Sequence, residues 1–168
     1  MDFNYSQICS DIIKGLPKRQ KEILARRFGL RIKGSKRETL ESIGQSLNVT
    51  RERVRQIERD GFLGLESAGK NYSAVFKFFQ EYLKKNGGLR KEEVLLTELG
   101  GEKEKNQIYF LLSLGKNFQR FSETEELHSL WTLGQDYPEA AKKVLTPLYA
   151  KLTKVGKPTS FNDLRSFS

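Results

Sequence analysis

The sequence predicts a mainly α-helical fold of two linked units, on three observations. Apolar residues recur at three- and four-residue spacing through most of the chain. Glycine and proline interrupt those stretches at short intervals. Two short segments, 118–122 and 128–133, have the apolar and aromatic content to pair as a small β-hairpin.

Residues 3–15 read as a short helix with Phe3, Ile8, Ile12 and Ile13 apolar, ended by Gly15. Pro17 stands where a helix can start, because its missing N–H loses nothing in a first turn. Gln20, Ile23, Leu24, Arg27 and Phe28 then fall on one side until Gly29. Residues 31–37, Arg-Ile-Lys-Gly-Ser-Lys-Arg, make a basic loop around Gly34. Thr39 is placed to cap a helix over 40–46. Leu47-Asn48-Val49 is a tight connection, and Thr50 caps a third helix that runs to about residue 65.

Gly69 and Asn71 mark a linker. Residues 74–85 are helical in pattern, with Val75, Phe78, Phe79, Tyr82 and Leu83 on one face, and Gly87-Gly88 breaks them. Two further helices, 91–99 and 104–114, flank Gly100-Gly101. Phe118, Phe121, Leu130, Trp131 and Leu133 supply the apolar positions of the hairpin. Three helices followed by a hairpin is the outline of a winged helix. Pro138 opens a last helix that reaches about Val155. The expected division is a helix-turn-helix domain over 1–68, a winged-helix-like domain over 72–134, and a C-terminal helix over 135–168. The tail from Gly156 to Phe161 reads like the turn into another helix, so the chain is expected to stop early in a further unit or to be a fragment of a longer protein.

The charge narrows the partners. Net charge is +9, and residues 1–71 hold 15 Lys+Arg against 9 Asp+Glu, or +6 of it. A basic balance attracts polyanions. No apolar run approaches the ~20 residues needed to span a bilayer, so no membrane partner is expected. Cys9 is the one cysteine and His128 the one histidine. They permit no internal disulfide and no usual zinc shell, so neither metal nor cofactor is expected. A lone cysteine fits a reducing cytoplasm, the expected location. Paired carboxylates, metal-ligand spacing and a phosphate-cradling glycine loop are all missing from the sequence, and the expectation is that the chain is not an enzyme.

The informative stretch is residues 39–58, Thr-Leu-Glu-Ser-Ile-Gly-Gln-Ser-Leu-Asn-Val-Thr-Arg-Glu-Arg-Val-Arg-Gln-Ile-Glu. A helix-turn-helix needs a short first helix, a tight turn, and a second helix held across the first by a few buried apolar residues. Leu40, Ile43, Leu47, Val49, Val54 and Ile57 have that spacing, and Gly44 lies where the helices cross. On a wheel of about 100° per residue centred on Val54, Ile57 and Gly61 lie within about 60°. Glu52, Gln56 and Arg59 fall within about 40° of the opposite pole, with Arg53 and Arg55 on the flanks and Arg51 in the first turn.

Hydrogen-bonding groups along the centre with cations on both sides suit a helix in the major groove, where central side chains reach base edges and flanking cations meet phosphates. An Arg pairs with guanine, a Gln with adenine, and a Glu accepts from cytosine. Glu52 is the most telling residue, because a carboxylate on a purely electrostatic surface only costs affinity. Its plainer role is to complement the dipole of the helix N-terminus. The plainer form of the whole stretch is an amphipathic hairpin with a solvated charged face.

Thr50-Arg51-Glu52-Arg53-Val54-Arg55-Gln56-Ile57-Glu58 closely resembles the signature of region four of sigma-70 family RNA polymerase sigma factors. Arg26-Arg27-Phe28-Gly29-Leu30 and Glu38-Thr39-Leu40-Glu41-Ser42-Ile43-Gly44 resemble its upstream parts in order and spacing, so that the resemblance covers about residues 14–66. It implies recognition of an upstream promoter element, the "minus thirty-five" hexamer, in bacterial transcription initiation, and docking on the flap of the polymerase β subunit through an apolar surface. It assigns base reading to Arg51, Glu52 and Gln56. Backbone contact or groove flanking is expected of Lys36, Arg37, Thr39, Thr50, Arg53, Arg55 and Arg59.

Gly61-Phe62-Leu63-Gly64-Leu65 departs from the Ala-Leu and Lys-Leu pairs usual there, and each glycine weakens the helix by ~1 kcal/mol. A full sigma factor also needs a preceding domain that melts the downstream hexamer. Only about 15 residues precede this one, so the chain is not expected to be a complete initiation factor. Residues 74–133 resemble the winged-helix module of the polymerase delta subunit and of some chromatin and restriction proteins. The alternative function is a protein-interaction module that occupies the β flap and competes with sigma factors without reading DNA.

Overall fold

The computed structural model describes residues 3–31, 35–65, 72–125, 127–134 and 136–156. The expected linker glycine and asparagine, Gly34 of the basic loop, and the tail beyond Gly156 lie outside the described residues.

Four helices make the first part: α1 (Tyr5–Lys14), α2 (Lys18–Arg27), α3 (Leu40–Ser46) and α4 (Arg51–Leu65). Their ends follow from the sequence. Asn4 accepts from the Gln7 amide and caps α1, and Pro17 immediately precedes α2. The Thr39 hydroxyl accepts from the Ser42 amide, and that of Thr50 from the Arg53 amide, each at 3.1 Å. Both satisfy an amide that the first helical turn leaves without a backbone partner. Asn48 takes a positive φ of 52° in the turn between α3 and α4, a conformation its short polar side chain tolerates.

The second part comprises α5 (Ser73–Lys85), β1 (Leu89–Lys91), α6 (Glu92–Leu114), β2 (Gln119–Phe121), β3 (Leu130–Thr132) and α7 (Tyr137–Val155). The fold is mainly helical, as the sequence predicts. One strand was not expected: β1 pairs antiparallel with β3, which also pairs with β2, giving the order β1-β3-β2. The expected hairpin is therefore two thirds of a three-stranded sheet. The expected pair of helices around Gly100-Gly101 is present, as two segments of α6 that meet at a kink. Gly101 takes φ 56° and Glu104 also leaves helical geometry. Glycine adopts that left-handed backbone at no steric cost, and the chain turns there.

A small core joins the helix-turn-helix: Ile23, Ile43 and Val54 are fully buried, with Leu40, Leu47, Val49 and Ile57 packed around them. A larger core holds Tyr5, Cys9, Ile12, Leu24, Phe28 and Leu65 together with Phe79, Leu83, Leu95, Ile108, Phe110, Leu111 and Trp131. It runs without a break from α1, α2 and α4 into α5, α6 and the sheet. Burying side chains of this kind stabilises by roughly 1.5–3 kcal/mol each. Phe28 of α2's C-cap is the hinge of the contact, with ring centroids 5.5 Å from Phe62 and 5.2 Å from Phe110. Polar bonds add direction. The Glu104 carboxylate accepts from the Ser6 hydroxyl at 2.9 Å, and the Cys9 thiol donates to the Gln107 carbonyl at 3.7 Å. Burial pushes the Cys9 thiol far above its ordinary range, which keeps it protonated and inert.

Candidate nucleic-acid interface

The site is built on α4. Val54 and Gly61 of this helix are buried and Leu65 is 1% exposed, so one side faces the core. Gly44 of α3 lets that side approach. A Cβ there would stand 2.7 Å from the Val49 carbonyl oxygen, closer than any side chain tolerates. The opposite side of α4 carries Glu52 and Arg59 in the open and Gln56 half-buried, with Arg53 and Arg55 exposed on the flanks and Arg51 exposed in the first turn.

Four of the expected site residues are tied in two pairs. The Glu52 carboxylate accepts from Arg55 Nε at 2.8 Å and Nη2 at 2.7 Å. Arg53 Nη1 donates to Gln56 Oε1 at 3.3 Å. The Arg55 guanidinium holds the Glu52 carboxyl below the usual carboxylate range, so it stays ionised. Thr39 and Thr50 spend their hydroxyl oxygens on caps and stand at the N-termini of α3 and α4, where backbone N–H groups and the helix dipole favour anions.

The basic loop that carries Lys36 and Arg37 is closed at both ends on α2. The Leu30 amide donates to the Ala25 carbonyl at 2.8 Å, and the Glu38 amide to the Arg26 carbonyl at 3.1 Å. Arg26 also grips the Glu38 carboxylate with Nε at 2.9 Å and Nη2 at 2.6 Å, which depresses its pKa. Arg27 donates to the Glu38 carbonyl and to Glu58 of α4. Lys36 and Arg37 are exposed. The Arg37 guanidinium carbon lies 4.1 Å above the Tyr109 ring.

The winged part is arranged differently. Its third helical segment, the part of α6 after the kink, buries Gln107, Ile108, Phe110 and Leu111. Its remaining polar face is turned to the first part: Asn106 Nδ2 donates to the Ser35 carbonyl at 2.6 Å and to that of Gly29 at 3.3 Å. The hairpin connection presents exposed Glu123 and Glu125, and His128 meets Glu123 at 3.1 Å. That surface is not made for phosphates. Sequence reasoning passed over Asn106 and Tyr109, which touch the basic loop; nothing in their spacing marks them. Among the described residues no cluster of His, Cys, Asp or Glu could hold a metal ion. No described helix is long and apolar enough to cross a membrane.

Fold and exposed face together define a helix-turn-helix protein. Residues 12–65 match the family model described as sigma-70, region 4. The match identifies the first part as a sigma-70 region-4 domain. The same part is 50% identical over 56 residues to RNA polymerase sigma factor RpoD of Helicobacter pylori, covering 33% of this chain and 8% of that protein. It is 40% identical over 60 residues to sigma factor SigA of a Nostoc species, covering 36% of this chain and 15% of that protein. SigA1 of Synechococcus elongatus is likewise 40% identical over 60 residues, covering 36% of this chain and 14% of its own length. The matched segment thus spans less than a sixth of each relative.

Proposed function

We propose that the chain binds double-stranded DNA in a sequence-dependent way, as a sigma-like reader of an upstream promoter element. The observation that carries this reading is the exposed side of α4. It sets Glu52, Gln56 and Arg59 opposite Val54 with Arg51 exposed in the first turn, and the second part packs behind α2 and α4 rather than over that side. In this reading Arg51, Glu52 and Gln56 meet base edges. Lys36, Arg37, Arg53, Arg55 and Arg59 neutralise phosphates on either wall of the groove. Thr39 and Thr50 fix the N-termini of α3 and α4 against the backbone.

RNA polymerase is the second partner in this reading. Among the described residues a groove of about 1380 Å³ is lined by Phe62, Leu63, Phe76, Leu114 and Phe118, with Leu63 60% exposed. An apolar groove of this kind supports docking of a protein element. The same groove favours the second reading, an interaction module that competes for polymerase without reading DNA.

Selection of bound duplexes from a random pool, with and without core polymerase, separates the two. Enrichment of one motif supports promoter reading. Retention on polymerase with no enriched sequence in either condition leaves the competitor.

A further inference from the structure

We propose that Asn106 and Tyr109 of α6 are positioning residues for the basic loop, and that they present the Arg37 guanidinium to the DNA backbone beside α4. This rests on the DNA-binding reading above.

Three observations converge. First, a single side-chain amide holds the backbone before the loop and the residue just ahead of Lys36 and Arg37: Asn106 Nδ2 donates to the carbonyls of Gly29 and Ser35. Backbone held at Ser35 lowers the ordering that a phosphate contact by the adjoining Lys36 and Arg37 would have to supply. Second, the Arg37 guanidinium carbon lies over the Tyr109 ring, 4.1 Å from its centroid. A guanidinium held over an aromatic ring keeps its full charge and spends none of it on a carboxylate. The neighbouring cations are engaged otherwise. Arg26, Arg27 and Arg31 each pair with a carboxylate, and among the described residues none pairs with Arg37. Arg120 also approaches the Tyr109 ring, at 5.6 Å, but its charge is met by Glu92. Third, Arg37 and Tyr109 share a cleft of about 370 Å³ with Glu58 and Phe62 of α4. On the helical wheel those two lie on the flank from which Arg55 and Arg59 project. Arg37 therefore extends the cationic edge of the recognition helix.

Tyr109 is itself immobilised, 5.9 Å from Phe28 and edge-on to Trp131 at 5.6 Å. The winged part thereby adds to DNA binding without touching DNA: its third helical segment reads the partner domain, and its effect reaches the duplex through one arginine.

The test is binding of the full chain to a fluorescent mixed-sequence duplex, titrated at several salt concentrations. Arg37→Ala should lower the slope of log affinity against log salt by about one, with a three- to tenfold loss at low salt. Tyr109→Ala should do the same, Tyr109→Phe should leave both values at wild type, and Arg37→Ala with Tyr109→Ala should be no worse than Arg37→Ala alone. Thermal melting establishes that each variant is folded, and Asn106→Ala replaces Tyr109→Ala if the latter is not. The proposal is overturned if Arg37→Ala leaves the slope unchanged, or if the loop-positioning variant does so while Arg37→Ala lowers it. Additive losses in the double variant also overturn it. Absence of salt-dependent binding by the wild-type chain would remove the DNA-binding reading itself, and this proposal with it.

Discussion

Glu52 and Arg55 hold each other on the open side of α4, the carboxylate receiving Nε and Nη2 of the guanidinium at 2.8 and 2.7 Å. Both side chains are more than half exposed, at 57% and 53%. The pair resolves the difficulty of placing a carboxylate among phosphates. Arg55 offsets the charge, and two lone pairs remain free for a cytosine amino group. Glu52→Ala should relax preference at one base pair, worth ~1–3 kcal/mol of discrimination. Arg55→Ala should weaken binding to all sequences and keep that preference. Competition among duplexes differing at single positions measures both. Equal weakening on every duplex by Glu52→Ala would assign the residue to the helix dipole instead.

Gln56 stands one turn further along, with its Oε1 receiving Arg53 Nη1 at 3.3 Å. Gln56→Ala is expected to relax selection at a different single position from Glu52→Ala. The selected-pool logos of the two variants check this. A uniform loss of affinity would move Gln56 to the phosphate wall.

Gly44 sets how closely α3 and α4 cross. Gly44→Ala improves helix propensity by ~1 kcal/mol but forces its methyl to 2.7 Å from the Val49 carbonyl oxygen. Overpacking of this kind costs ~1–3 kcal/mol, so the net change should be destabilising. Thermal unfolding should show a lower midpoint. An unchanged or raised midpoint would mean that the turn yields easily.

Glu38 gives the acid side of the stability profile a specific cause. Arg26 lowers its pKa in the folded state by hydrogen bonding and by charge, while in the unfolded chain it titrates in the ordinary carboxylate range. Between those values the unfolded chain binds more protons. The stabilisation is therefore complete above the ordinary range and is lost as pH falls through the depressed value. Glu38→Gln should be less stable than wild type at neutral pH, and the gap should narrow on acidification. Denaturant midpoints at a series of pH values report it, and a gap independent of pH would contradict it.

Much of the first part was legible because it is local. The apolar period from Leu40 to Ile57 fixes which sides meet, and Thr39 and Thr50 announce their caps. The strand β1 was not legible. Leu89-Arg90-Lys91 has no alternation to betray it, and its partner Trp131 lies far along the chain. The packing of α1 on α6 was hidden for the same reason. Ser6 and Glu104 are 98 residues apart, and no periodicity links them. At the candidate site, the exposed row on α4 follows from its wheel, whereas the pairing of Glu52 with Arg55 depends on rotamers. The placement of Arg37 over Tyr109 depends on tertiary geometry that spacing does not encode.

The one tryptophan sits where the two parts communicate. Trp131 is 2% exposed, donates its indole N–H to Glu92 at 2.9 Å, and abuts Tyr109. Its ultraviolet emission is therefore a built-in gauge of that seam. Any event that prises α6 from the loop beneath it would admit water to the indole and redden the signal, without a label and in the unmodified polypeptide.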